Sequence, residues 1–305
     1  MKETKDRFLK IKKNYLNFLK KQEVSSEPFH DKLGQLKNFY IPICDFIYKN
    51  RNQNKTTTII GLSGGQGAGK TTISSILKLI IKKKFNLNVV IFSIDDFYKT
   101  LDQRKKMAKN IHELFLTRGV PGTHDTKLLN KLFINIKKKK FKNLFIPKFD
   151  KSKDDRTIKK KWMKLNKKPD IVIFEGWCVG AKPQNIKKLT KPINVLEKKY
   201  DKKLIWRKKV NNELKNMYKV IFKLINKLIF LQVPSLKYVY KWRLLQEKKM
   251  SLNSNKVKTM SNVQIKNFIM YYERITLQMI KDLSNSSDIT VRLDKKHRLS
   301  SIKFN

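Results

Sequence analysis

Gly64-Gly65-Gln66-Gly67-Ala68-Gly69-Lys70-Thr71 fits the pattern G-x-x-x-x-G-K-[ST] at every fixed position. Ahead of it, Thr56-Thr57-Thr58-Ile59-Ile60-Gly61-Leu62 is short, β-branched and apolar, the signature of a buried strand. Behind it, apolar residues at 73, 76, 77 and 80 mark one face of a helix. Between a strand and a helix, such a glycine loop turns its backbone N–H groups inward as an anion nest, at the positive end of the helix. The reading is a nucleoside triphosphate site in which Gly64, Gly65, Gln66, Gly67, Ala68, Gly69, Lys70, Thr71 and Thr72 surround the phosphates. Lys70 is expected on the β/γ-phosphates and the Thr71 hydroxyl on Mg²⁺. A glycine-rich turn with a chance lysine is the competing reading, and the length of the match and its flanks argue against it.

Composition narrows the remainder. The 305 residues suffice for a sizeable core, and 40% apolar content with 18 Phe, 10 Tyr and 4 Trp excludes wholesale disorder. The net charge of +47 points to a polyanion partner. Against that, only ten of the 71 basic residues are Arg, the residue that reads bases bidentately, and the lysines run along the whole chain. Abundant Lys, Asn and Ile read better as the bias of an AT-rich genome, so no nucleic-acid partner is expected. Anionic small molecules should still be attracted at low salt. Cys44 and Cys178 lack any C-x-x-C spacing, which speaks against a disulfide framework or zinc site and for a reducing compartment. The chain shows no signal-peptide pattern and no apolar run long enough to span a bilayer, so a cytoplasmic, non-membrane protein is expected.

The first 50 residues read as helical, with Phe8, Leu9, Ile11, Tyr15, Phe18 and Leu19 on a three–four spacing and a break near Pro28. This segment is expected to pack on the core. A basic membrane-surface helix is the rival, weakened by Glu3, Asp6 and Glu23 and by the lack of a Trp anchor. From residue 56 the pattern alternates strand and helix. Short apolar runs occur at 89–94, 170–175, 228–233 and 289–293. Runs without polar alternation are strands covered on both faces, hence a mostly parallel sheet between helix layers, an α/β fold of three-layer α/β/α type. Ligands in such folds gather at the carboxyl ends of the strands. Those ends carry the glycine loop, Asp95-Asp96 and Glu175.

These acidic stations discriminate among triphosphate-binding classes. A carboxylate at 95 or 96 can accept the proton of an attacking hydroxyl, while the other can cap the next helix. Glu175 stands where a strand-end carboxylate reaches Mg²⁺. Gly176-Trp177 follows it, not the second acid that polarises water in ATP-hydrolysing motors, so transfer to an organic hydroxyl is expected.

Taken together, Gly61-Leu62-Ser63-Gly64-Gly65-Gln66-Gly67-Ala68-Gly69-Lys70-Thr71-Thr72, Ser93-Ile94-Asp95-Asp96-Phe97-Tyr98 and Phe174-Glu175-Gly176-Trp177 resemble the P-loop kinase family of uridine kinase, phosphoribulokinase and pantothenate kinase. Arg118-Gly119-Val120-Pro121-Gly122-Thr123-His124-Asp125, Pro147-Lys148-Phe149-Asp150-Lys151-Ser152 and Trp242-Arg243-Leu244-Leu245-Gln246-Glu247 bring the resemblance closest to D-glycerate 3-kinases of the plant, cyanobacterial and fungal type. The resemblance implies a P-loop NTPase fold, with ATP and Mg²⁺ as cofactors and a small glycerate-like acceptor. It implies a helical segment over 1–55 and a kinase domain over 56–305, with an acceptor-site region near 118–160 and a lid near 234–260. It makes Asp95 the general base and Glu175 the metal-linked carboxylate. Asp96, Tyr98, Arg118, His124, Asp125, Lys151 and Arg156 become acceptor-site candidates. Arg243 becomes a lid arginine that completes the catalytic set with Lys70. Physically, a carboxylated acceptor needs a cationic clamp, for which Arg118 and Arg156 are the expected pair. His124 reads as a hydrogen-bonding residue and not a base, since Asp95 holds that role. This chain lacks the Gly-x-Gly insert of the plant pattern before Asp-Arg, reading Lys153-Asp154-Asp155-Arg156 instead, so its acceptor loop is shorter. Other acceptors of the uridine, pantothenate or ribulose-phosphate kind, a nucleic-acid-dependent ATPase and a non-catalytic nucleotide scaffold are the alternatives.

Overall fold

The computed structural model describes residues 2–23, 29–53, 56–253 and 260–305; the expected break near Pro28 lies outside them. The strands are β1 (Thr58–Gly64), β2 (Val89–Ser93), β3 (Leu144–Ile146), β4 (Phe149–Asp150), β5 (Asp155–Arg156), β6 (Met163–Leu165), β7 (Ile171–Gly176), β8 (Lys227–Gln232), β9 (Ile289–Leu293) and β10 (Leu299–Phe304). The helices are α1 (Lys2–Gln22), α2 (Lys32–Gln35), α3 (Ile41–Lys49), α4 (Lys70–Phe85), α5 (Leu101–Asn110), α6 (Thr126–Lys137), α7 (Ile186–Leu189), α8 (Val195–Tyr200), α9 (Ile205–Glu213), α10 (Lys219–Phe222), α11 (Leu236–Asn253) and α12 (Asn262–Ser286). A π-helical turn, Leu214–Tyr218, joins α9 to α10.

The main sheet runs β10-β9-β8-β1-β7-β2, parallel except for β10. Its parallel strands bury apolar residues on both faces, as their apolar runs require. Ile171 and Ile173 of β7 join one core cluster, while Val172 and Phe174 join the other. β1 lies between β7 and β8, so the glycine loop leaves the sheet at its centre, where the chain order reverses and ligands bind. Each predicted strand is present within two residues of its expected bounds. β1 runs on into the motif itself, because Ser63 pairs with Gly176 and Gly64 with Leu231.

The apolar face of α1 is used within the molecule: Ile11, Tyr15 and Leu19 are at most 2% exposed and share a core with Ile73, Ile76, Leu77 and Ile80 of α4. Leu9, counted on that face from its spacing, is instead 50% exposed. No helix among the described residues is long and apolar enough to cross a membrane. On the opposite layer a buried charge cluster ties the segment after β7 to α12. Arg207 donates to Asp201 from its Nε at 2.8 Å, and Arg274 grips Glu197 from Nε and Nη2 at 2.7 and 2.6 Å. This fixes α9, and with it the π-helical turn that carries Tyr218.

Candidate active site

The glycine loop is built by its backbone. Gly67 and Gly69 stand at φ +75° and +80°, where a side chain is strained, and a Cβ on Gly67 would approach Trp242 Cβ to 2.8 Å. The loop therefore closes against α11. Lys70 opens α4, and its Nζ donates to the carbonyls of Gly64 and Gly65 at 2.9 and 3.0 Å, across the neck of the loop. Burial draws its ammonium below the ordinary lysine range, against the fields of Glu175 and Asp95. Thr71 Oγ1 donates to Glu175 Oε1 at 2.9 Å, joining the two residues expected at the metal. Ser74 donates to Glu175 Oε2 at 3.2 Å. Sequence reasoning missed Ser74, although it follows Thr71 by three residues and so lies on the same face of α4. The amide of Gln66 is buried with no hydrogen-bond partner among the described residues.

The Asp pair divides its labour. Asp96 Oδ2 accepts from Ser93 N at 3.2 Å, and Ser93 Oγ accepts from Asp95 N at the same distance, so Asp96 caps the single turn 94–97. Burial raises the Asp96 carboxyl. This gives Asp96 a scaffold role where acceptor contact was expected. Asp95 has a side-chain donor on each oxygen: Tyr98 Oη donates to Oδ1 at 2.9 Å and Lys151 Nζ to Oδ2 at 3.2 Å. Burial pushes the Asp95 carboxyl up, but the Lys151 cation and the Tyr98 hydroxyl outweigh it and hold the group below its ordinary range.

The region 118–156 wraps this carboxylate. Arg156 donates from Nε and Nη2 to the Tyr98 carbonyl at 3.1 and 2.7 Å, and from Nη1 to Asp125 Oδ2 at 3.2 Å. Asp125 Oδ1 caps α6 by accepting from Leu128 N at 3.0 Å. Arg156 and Asp125 thus hold the backbone beneath Tyr98, where a direct grip on the acceptor was expected of them. Arg118 pairs with Asp154. Asp154 stands at φ +52° and is shared with Arg104, whose side chain is fully buried and also donates to Leu116 O at 2.7 Å. Arg104 is the residue of this region that the sequence reading did not single out. In a helix written Leu-Asp-Gln-Arg-Lys-Lys-Met-Ala-Lys-Asn it looks like one more solvated charge. His124 is fully buried, its Nδ1 lies 2.6 Å from Tyr218 Oη, and burial drives its pKa down to about 3. The ring is therefore held neutral and accepts a proton only weakly.

Arg243 lies on α11 with only 15% of its side chain exposed. It reaches along its own helix to Gln246 Oε1 at 2.8 Å and to Glu247, with its guanidinium over the Phe268 ring. Burial lowers its pKa, opposed by Glu247. Residues 254–259 of the expected lid lie outside the described residues.

A glycine loop at the centre of a parallel sheet, a hydroxyl–carboxylate pair beside it and an aspartate whose charge acts on Lys70 define the class of P-loop phosphotransferases. Comparison with known proteins narrows the class. The Phosphoribulokinase / Uridine kinase family profile matches residues 59–207. Uncharacterized kinase mug58 of Schizosaccharomyces pombe is 35% identical over 251 residues, covering 80% of this chain and 88% of that protein. The chloroplastic D-glycerate 3-kinase of Arabidopsis thaliana is 29% identical over 256 residues, 78% of this chain and 53% of that protein. Among solved structures, D-glycerate 3-kinase from Cryptococcus neoformans superposes with a TM-score of 0.71 at 24% identity, over 88% of this chain and 97% of that one. The chain belongs to the phosphoribulokinase/uridine kinase family and is an ATP-dependent small-molecule kinase.

Proposed function

We propose that this kinase phosphorylates a hydroxyl of a small organic acid, D-glycerate by preference, giving 3-phosphoglycerate and ADP. The observation that carries the reading is the setting of Asp95: a carboxylate held in its basic form at the strand end next to the phosphate nest, with Lys151 on it and Arg118 in the same region. Asp95 takes the proton of the attacking hydroxyl at Oδ1 or Oδ2, which requires Lys151 or Tyr98 to yield one oxygen. Lys151, with its side chain 65% exposed, is the freer of the two. Released from Asp95, it is placed to meet the acceptor carboxylate or the transferring phosphoryl group. Arg118 supplies the planar cation for a carboxylate, in exchange with Asp154. The relative that works on D-glycerate supports this choice of acceptor.

The residues also fit a magnesium ion. Thr71 and Glu175 present a hydroxyl and a carboxylate to one point at the nest, the hard oxygen set Mg²⁺ takes alongside phosphate oxygens and water. When bound, the ion neutralises charge that develops on the phosphates. We place the protein in the cytoplasm on its two buried free cysteines, Cys44 and Cys178.

Incubation with ATP, Mg²⁺ and a panel of hydroxy acids and nucleosides, following ADP, tests the reading. D-glycerate should give the fastest turnover, with uridine and pantothenate poor. Faster turnover on a nucleoside, or ADP release that ignores glycerate, overturns the acceptor.

A further inference from the structure

His124 and Tyr218 form a buried pair that the transfer chemistry above does not use. Both side chains are fully buried. Tyr218 Oη accepts from Gly122 N at 3.0 Å and lies 2.6 Å from His124 Nδ1. The other ring nitrogen, Nε2, is buried with no partner among the described residues. An unpaired polar atom in a protein interior is uncommon and calls for an explanation.

The position of His124 is not incidental. Its ring stacks on that of Tyr98 at 4.5 Å, and the Tyr98 hydroxyl is the group that donates to Asp95. The backbone around it is tied to the turn that carries Asp95, through Asp125 N to Phe97 O at 2.7 Å and Lys99 N to Thr123 O at 2.8 Å. The imidazole thus belongs to the wall beside the base. Tyr218 reaches it from the π-helical turn Leu214–Tyr218, the kind of one-residue irregularity that re-aims a side chain within a helix and recurs at functional sites.

Proton accounting selects one tautomer. If Nδ1 carried the proton, it would donate to Tyr218 Oη, and the phenolic proton would be left in the core without an acceptor. With the phenol donating to Nδ1, both Tyr218 bonds are made and only Nε2–H is left over. The second arrangement leaves fewer orphaned groups. Burial also keeps the ring neutral at any working pH, so Nε2–H is a constant donor and takes no part in acid–base chemistry.

We propose that Tyr218 is a positioning residue that fixes His124 as the neutral Nε2–H tautomer, and that this N–H donates to an oxygen of the acceptor that enters beside Asp95. The proposal rests on the kinase reading of the site but not on the acceptor being glycerate. Any hydroxy acid or polyol offers the oxygen. Because Nε2 is covered by protein, the bond forms as the acceptor seats.

The test uses the full chain with ¹⁵N-labelled histidine, the His124 signals being assigned by their loss in His124→Gln. The expected result across neutral pH is a protonated Nε2 and an unprotonated Nδ1. A protonated Nδ1 or an imidazolium overturns the proposal, and this arm needs no acceptor. Kinetically, Tyr218→Phe should raise the KM of whichever panel acceptor turns over fastest by about tenfold, with the KM for ATP unchanged. His124→Gln, whose amide can donate from the place of Nε2, should recover acceptor affinity relative to His124→Leu, which should lose it as Tyr218→Phe does. Should Tyr218→Phe fail to fold, the Gln and Leu pair carries the test. Equal behaviour of Gln and Leu, or a shared loss of ATP and acceptor affinity, refutes the donor role.

Discussion

Replacing Asp95 by Asn removes one proton acceptor and changes little else in shape. The Asn carbonyl keeps the bond from Tyr98, now at 2.9 Å to Oδ1, but its NH₂ faces the Lys151 ammonium that Oδ2 accepts from at 3.2 Å. The variant therefore loses the base and frees Lys151. A positioned general base contributes about 10²–10⁴-fold to turnover. At ~1.4 kcal/mol per decade this corresponds to about 3–5 kcal/mol of the barrier. Lys70, Thr71 and Glu175 are untouched, so the KM for ATP should hold. In Asp96→Asn the amide oxygen still accepts from Ser93 N, so turnover should stay within about threefold and stability within about 1 kcal/mol. The pH profile adds an independent check with a definite sign. A carboxyl whose pKa is depressed in the folded protein stays ionised as pH falls, and is lost only on passing that lower value. The acid limb of kcat/KM should then lie below the ordinary aspartate value of about 3.9, or be hidden by unfolding before it is reached. Steady-state kinetics of the two variants against acceptor and ATP, with a profile of the wild type, decide the matter. Greater loss in Asp96→Asn than in Asp95→Asn, or an acid limb close to neutrality, refutes the assignment of the base.

Lys70→Ala should abolish transfer while leaving the thermal melt almost unchanged, since the lysine donates only to two loop carbonyls, with which phosphate competes for it; half of wild-type turnover in that variant removes the loop from catalysis. Arg156→Lys keeps the charge but loses the fork on the Tyr98 carbonyl, so acceptor KM should rise through a displaced Tyr98, together with a loss of about 1 kcal/mol in urea unfolding. Unchanged stability with raised KM points instead to direct acceptor contact. Arg104→Ala should cost about 3 kcal/mol, because it strands Leu116 O and leaves Asp154 with Arg118 alone, and it should weaken acceptor use by loosening the loop; a shift in the urea midpoint measures the first and acceptor KM the second. Asp201→Ala should destabilise by about 3 kcal/mol, because buried Arg207 keeps only Glu197, at 3.5 Å, as a carboxylate partner; a shift in the urea midpoint measures it.

What could be read from the chain follows from how each element is held. Strands buried on two faces have to be written as continuous apolar runs, so five of the six in the main sheet were legible. The sixth, β10, was not. It is an antiparallel edge written Leu-Ser-Ser-Ile-Lys-Phe, with Leu299 buried and most of the rest facing outward. Its pairing depends on the turn at Asp294, whose carboxylate accepts from Lys296 N and Arg298 N, and no hydrophobic period announces that. The short ribbons β3–β6 and β4–β5 are likewise set by loop contacts across many residues.

The site divides along the same line. The candidates for the phosphate side sit in a fixed relation to one loop and two strand ends, so Lys70, Thr71, Asp95 and Glu175 follow from local spacing. The acceptor side is assembled from segments distant in sequence, and there identity alone misleads. Arg156 and Asp125 carry the residue types of a carboxylate clamp, yet they bond Tyr98 O and each other. Arg104, one cation in a run of lysines, is the one wholly buried. What separates a structural arginine from a binding one is whether its donors are already filled, and that is a property of the fold. On this measure Lys151, two-thirds exposed and holding the base by a single contact, has the most freedom to change partners during a turnover. Arg118 comes next, because its partner Asp154 is itself open to solvent. Acceptor selectivity should therefore respond more to changes at Lys151 and Arg118 than at Arg156.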